Sequence, residues 1–135
     1  MQLDDISKNP YNYFLYKSSQ ITIISVGYAI YSQKNGYVIS TGSVLCTSLL
    51  YWKNPKLGIR RNIDMMVVNS VLVYHSYMAI GTKYAREHYF FTGIGILSYF
   101  LSWYFQYKNN VFISTIMHSL LHFFSNVGNI YLISG

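Results

Sequence analysis

The stretch NNVFISTIMHSLLHFFSNVGNIYLISG, Asn109 to Gly135, runs for 27 residues without one Asp, Glu, Lys or Arg. Along it Thr115, His118, Ser119, His122, Ser125, Asn126 and Asn129 recur at steps that place them on one side of a helix. Ile116, Met117, Leu120, Leu121, Phe123 and Phe124 fill the other sides. A helix this long and this apolar can cross a bilayer, where ionisable groups are costly. Two histidines on such a stripe therefore mark a site or a pathway by default.

Outward from that stretch lie four more runs free of Asp, Glu, Lys and Arg. They are Ser18–Gln33, Asn35–Trp52, Met65–Thr82 and His88–Tyr107, of 16, 18, 18 and 20 residues. A helix crossing the hydrocarbon core needs about 20 residues. Only 10% of the chain is charged, against about 25% in an ordinary soluble domain. The 135 residues make one domain's worth of chain. The expected fold is all-α, a multi-pass transmembrane bundle of about five short helices over residues 18–135. Residues 1–17 form a polar, aromatic-rich segment whose Tyr11, Tyr13, Phe14 and Tyr16 suit the headgroup region. The mean hydropathy of +0.21 is low for a membrane protein, because 15 Tyr and many Ser and Thr stand in place of Leu. A small soluble all-α domain would need charged helix faces, which these runs lack.

The basic residues sit in the hinges rather than along one helical face, which argues against a nucleic-acid partner. Lys8, Lys17, Lys53, Lys56, Arg60, Arg61 and Lys108 fall on one side of a five-span topology, and Lys34, Lys83 and Arg86 on the other. The excess places the N-terminus in the cytosol and the C-terminus in a lumen or outside. The cluster Lys53, Lys56, Arg60 and Arg61 suits anionic lipid headgroups, at about 1 kcal/mol for each residue near the surface. The acidic opening Met1-Gln2-Leu3-Asp4-Asp5 does not read as a cleavable signal. Cys46 is the only cysteine, so intrachain disulfides and Cys-rich zinc sites are excluded.

Local signals refine the layout. Gln33-Lys34-Asn35-Gly36 reads as a tight turn, and Pro55 stops the second run. Tyr51 and Trp52 fall at interfacial depth. The hinge Tyr107–Asn110 is so short that the last two helices must be antiparallel neighbours. Gly93 and Gly95 lack the rest of a dinucleotide fingerprint and suit close helix contact.

The third span is expected to begin near Ile63. Counted from Asp64, where that span enters from the cytosolic side, His75 then lies about 16 Å deep, with His118 and His122 about 12 and 18 Å deep on the last helix. Three imidazoles at similar depth could hold zinc and leave a position for water. The same residues also fit a non-enzymatic membrane scaffold or channel-like component whose His/Ser/Asn stripe joins helices or subunits of a homo-oligomer, and, less readily, a haem site or a proton relay. Asp64 has an ordinary role as an ion-pair partner of Arg60, and Ser48 as one of many small packing residues.

Taken together, Ser48, Asp64 and His118-Ser-Leu-Leu-His122 resemble the membrane hydrolase superfamily that includes alkaline ceramidases and the adiponectin/progestin receptors. The resemblance covers residues 40–66 and 111–129. It implies a zinc-dependent lipid amide or ester hydrolase with His118 and His122 as metal ligands; either His75 takes over the third ligand position, or the site is dead and only the scaffold remains. Asp64 would orient or activate the water, and Ser48 would donate a hydrogen bond. Trp52 stands where that pattern has its first histidine, and the chain has five runs where the family has seven.

Overall fold

The computed structural model describes residues 10–53, 55 and 58–135; positions 1–9, Asn54, Lys56 and Leu57 lie outside the described residues. Among the described residues six helices follow in order: α1 (Asn12–Ser19), α2 (Thr22–Tyr31), α3 (Asn35–Lys53), α4 (Ile59–Met78), α5 (Ala85–Tyr107) and α6 (Val111–Ser134). No strand occurs among the described residues. The chain is all-α, as the runs imply.

One helix more than expected arises because the first run is broken at Gln20–Ile21. The Ser18 and Ser19 hydroxyls donate back to the carbonyls of Leu15 and Tyr16, offering the backbone an alternative to the regular ladder. The N–H groups of Gln20, Ile21, Ile23 and Ile24 then turn to carbonyls three residues back, a tight 3₁₀-type step. Position 17, where the polar segment was expected to end, falls inside α1. That helix buries Leu15, Ser18 and Ser19 and leaves Tyr13 and Phe14 exposed.

The other breaks follow local chemistry. Gln33 and Asn109 take positive φ at 57° and 59°, conformations that short polar side chains and loop ends tolerate best. The Asn110 side chain caps α6 by accepting from the Ile113 N–H at 3.2 Å. Gly58, at φ 146°, allows α4 to start at Ile59 rather than near Ile63.

α5 and α6 form the tightest pair. A Cβ on Gly128 would lie 2.7 Å from the Thr92 hydroxyl and 3.3 Å from the His88 carbonyl, and one on Gly95 would lie 3.0 Å from Ser125 Oγ. Gly93, by contrast, meets nothing within 4 Å. Ser114 donates to the Ser102 carbonyl at 2.8 Å at the other end of the seam. α3 packs against α4, and both α1 and α2 pack against α3 and α6. The Lys34 ammonium ties the α2–α3 turn to the Ile133 carbonyl. α4 and α5 are consecutive in the chain yet pack little against each other, apart from the Tyr89 hydroxyl donating to the Ser76 carbonyl at 2.7 Å.

Burial is inverted relative to a water-soluble bundle. Among the described residues, the buried set is dominated by Ser, Thr, His, Asn and Asp, whereas large apolar side chains such as Ile24, Ile39, Val73, Tyr77, Ile80 and Phe90 are exposed. By length and composition, one helix among the described residues, Val111–Ser134, is apolar enough to cross a membrane.

Candidate functional site

All six helices line one interior cavity of about 510 Å³, within the range of small-molecule sites. Ser48, Asp64, His118 and His122, proposed from separate parts of the sequence, all face it. His75 does not line it.

Asp64 is buried on the first turns of α4. Its Oδ1 accepts from Ser48 Oγ at 2.9 Å and from Thr47 Oγ1 at 3.0 Å. These hydroxyls, rather than Arg60, are its partners; Arg60 is exposed. Antiparallel packing of α3 on α4 brings the end of one helix to the start of the other, so two adjacent hydroxyls meet one carboxylate. Thr47 was not singled out in the sequence, although its place beside Ser48 was a usable signal.

The second polar group is on α6. His118 packs edge-to-face with Trp52 at 5.1 Å between centroids and with His122 at 4.9 Å. His122 Nδ1 lies 2.8 Å from Ser18 Oγ, so α1 holds its ring. One turn on, Asn126 accepts from Ser25 at 2.6 Å and donates to Thr22 at 3.2 Å and to the His122 carbonyl at 2.7 Å. This part of the stripe fastens α2 to α6. Tyr51 and Trp52 are buried against the cavity. Lys53 is exposed, Arg61 is half-buried and lines the cavity, and Lys56 is outside the described residues.

His75 belongs to a different group. Its Nε2 lies 2.7 Å from Ser40 Oγ and its Nδ1 lies 3.1 Å from Asn129 Oδ1. An amide oxygen accepts only, so Nδ1 carries the proton and Nε2 accepts from Ser40. The expected convergence of His75 with His118 and His122 does not occur. Because α4 starts at Ile59, His75 lies about 24 Å along it; Asn129 lies about 27 Å along α6, but His122 only about 17 Å. Neighbours at equal depth pair, and the earlier helix start moved His75 past the other histidines.

Among the described residues no group of three or more His, Cys, Asp or Glu is placed to hold a metal ion. A catalytic zinc needs three protein ligands. The cavity offers two imidazoles beside Trp52, and both nitrogens of the third imidazole are engaged elsewhere. The residues present do not fit the three-histidine zinc centre.

His88 was not assigned from sequence. It is 1% exposed and its Nδ1–H donates to the Gly128 carbonyl at 2.9 Å, across the α5–α6 seam. Its four-residue spacing from Thr92 was the available clue.

Comparison with family models, characterised proteins and solved structures finds no match to this chain. The described residues form an all-helical bundle around a cavity whose mostly apolar lining carries Ser48, Asp64, His118 and His122, with large apolar side chains exposed outside.

Proposed function

We propose that the chain is a multi-pass membrane protein whose central cavity binds a lipid-like amphiphile. The observation that carries this reading is the inverted burial around a ligand-sized cavity. Water would penalise an exterior of Ile, Leu, Val, Phe and Tyr, whereas a bilayer favours it. Helices α3 to α6 contain 19, 20, 23 and 24 residues, or about 28–36 Å of rise, which suits a hydrocarbon core of about 30 Å. Together α1 and α2 make a fifth, broken crossing. Polar groups clustered inside are tolerated because they satisfy one another or face a cavity. The positive-inside excess favours a cytosolic N-terminus and a lumenal or external C-terminus, with Lys53, Lys56, Arg60 and Arg61 beside anionic headgroups.

The ceramidase-like layout of Ser48, Asp64, His118 and His122 supports recognition of a lipid's polar end. Asp64 and Ser48 would hold it by hydrogen bonds, with apolar residues such as Val44, Leu72 and Leu121 along its chain. Zinc-dependent hydrolysis would require the missing ligand. Protein purified in detergent and analysed by native mass spectrometry is expected to retain one amphiphile, and Asp64→Asn with Ser48→Ala to lose it. Solubility without detergent, or no retained or added amphiphile, would remove the proposal. Trp52→His places an imidazole beside His118, and elemental analysis should then rise from near zero toward about one zinc per chain. Equal zinc in parent and variant would refute the account of the metal set.

A further inference from the structure

The cavity is closed on most sides. α1 and α2 pack on α3 and α6, α3 packs on α4, and α5 packs on α6. The neighbouring pair that packs least is α4 and α5: Tyr89 Oη donates to the Ser76 carbonyl at 2.7 Å where the end of α4 meets the start of α5, and toward their other ends they stand apart. Six cavity-lining residues are exposed, and all six belong to those two helices: Met65, Val68 and Asn69 on α4, and Ile96, Phe100 and Trp103 on α5. Their spacing of three and four places each set on one helical face. Two helices thus turn matching apolar faces toward a gap that neither closes.

The geometry points to a lateral portal between α4 and α5 through which the hydrocarbon chain of a membrane amphiphile enters the cavity. This rests on the amphiphile-binding reading above and specifies how the ligand arrives and lies. The rim holds five apolar side chains and one amide, with no charge. It falls within the charge-free runs Met65–Thr82 and His88–Tyr107, at hydrocarbon depth if the helices span. A water-filled gap between such side chains would be unfavourable. A partner helix is a poorer occupant, because helices associate in lipid through small residues, and Gly95 and Ser102 of α5 are turned to α6 instead. Met65 follows Asp64 directly. A chain lying in the portal therefore brings its headgroup to the carboxylate held by Ser48 and Thr47.

The chain's two tryptophans allow a test, since Trp52 is 8% exposed inside the cavity and Trp103 is 51% exposed on the rim. Trp103→Phe leaves the inner reporter and Trp52→Phe leaves the outer one. Each protein is placed in phosphatidylcholine vesicles whose acyl chains carry bromine at mid-chain, a quencher that acts at close contact. Quenching of both tryptophans is expected. Narrowing the portal with Val68→Phe and Ile96→Phe should remove most of the Trp52 quenching and leave that of Trp103. The control pair Val73→Phe and Leu97→Phe, exposed but not lining the cavity, should change neither. Trp52 quenching that persists in the narrowed protein overturns the portal while leaving the binding reading intact. Absent quenching of Trp52 in the unnarrowed protein overturns both. Absent quenching of Trp103 shows that protein, not lipid, covers the rim, and also overturns the portal.

Discussion

The two sides of α5 follow opposite rules. Toward α6 it presents His88, Thr92, Gly95, Ser98 and Ser102, all buried. At the open side of the cavity it presents Ile96, Phe100 and Trp103, all exposed. In a water-soluble bundle the large apolar face would be the adhesive one. Here the small, weakly polar face adheres, which fits the proposed membrane setting, where hydrocarbon would offer no gain for burying Ile or Phe and close backbone approach would decide association. The difference supports a lipid environment more directly than hydropathy does, since a mean of +0.21 is indecisive.

The largest expected effect lies on the adhesive seam. Gly128→Val puts atoms into the 2.7 Å gap to Thr92 and against the His88 carbonyl, and backbone cannot yield cheaply. A loss of about 1–3 kcal/mol is expected, read as a lower thermal midpoint in detergent. Asn126→Leu comes next. It removes the bonds to Ser25, Thr22 and the His122 carbonyl, each worth about 0.6 kcal/mol in a membrane protein, so the midpoint should fall less. Gly93→Ala should act in the other direction. Its added methyl meets nothing, and replacing a mid-helix glycine gains roughly 0.5 kcal/mol. Ile96→Ala, on the open side, should change stability by less than about 0.5 kcal/mol. If Ile96→Ala cost as much as Gly128→Val, both sides of α5 would be packed and the contrast would collapse.

The same contrast shows what could be read in advance. Helices α2 to α6, the turn at Gln33 and the antiparallel pairing of α5 with α6 were legible, since each depends on neighbours within a few residues, whereas α1 lies mostly within the segment read as a polar, aromatic-rich stretch. So was close contact at Gly95, but not the freedom of Gly93, because both look alike until the helix's rotation is known. The break at Gln20–Ile21 had a local sign in Ser18–Ser19, which the absence of charge overshadowed.

The amino-acid sequence alone determined an all-helical chain, a polar stripe on its last helix and the residue types available to a site. Periodicity and turn chemistry suffice for that. Tertiary structure decided which polar residues meet: Asp64 with Ser48 and Thr47, His75 with Asn129 rather than His122, Trp52 against His118. Those pairings depend on the rotation and axial offset of one helix against another. These are set by where each helix starts and how closely its small residues let its neighbour approach, quantities that no single helix's periodicity contains.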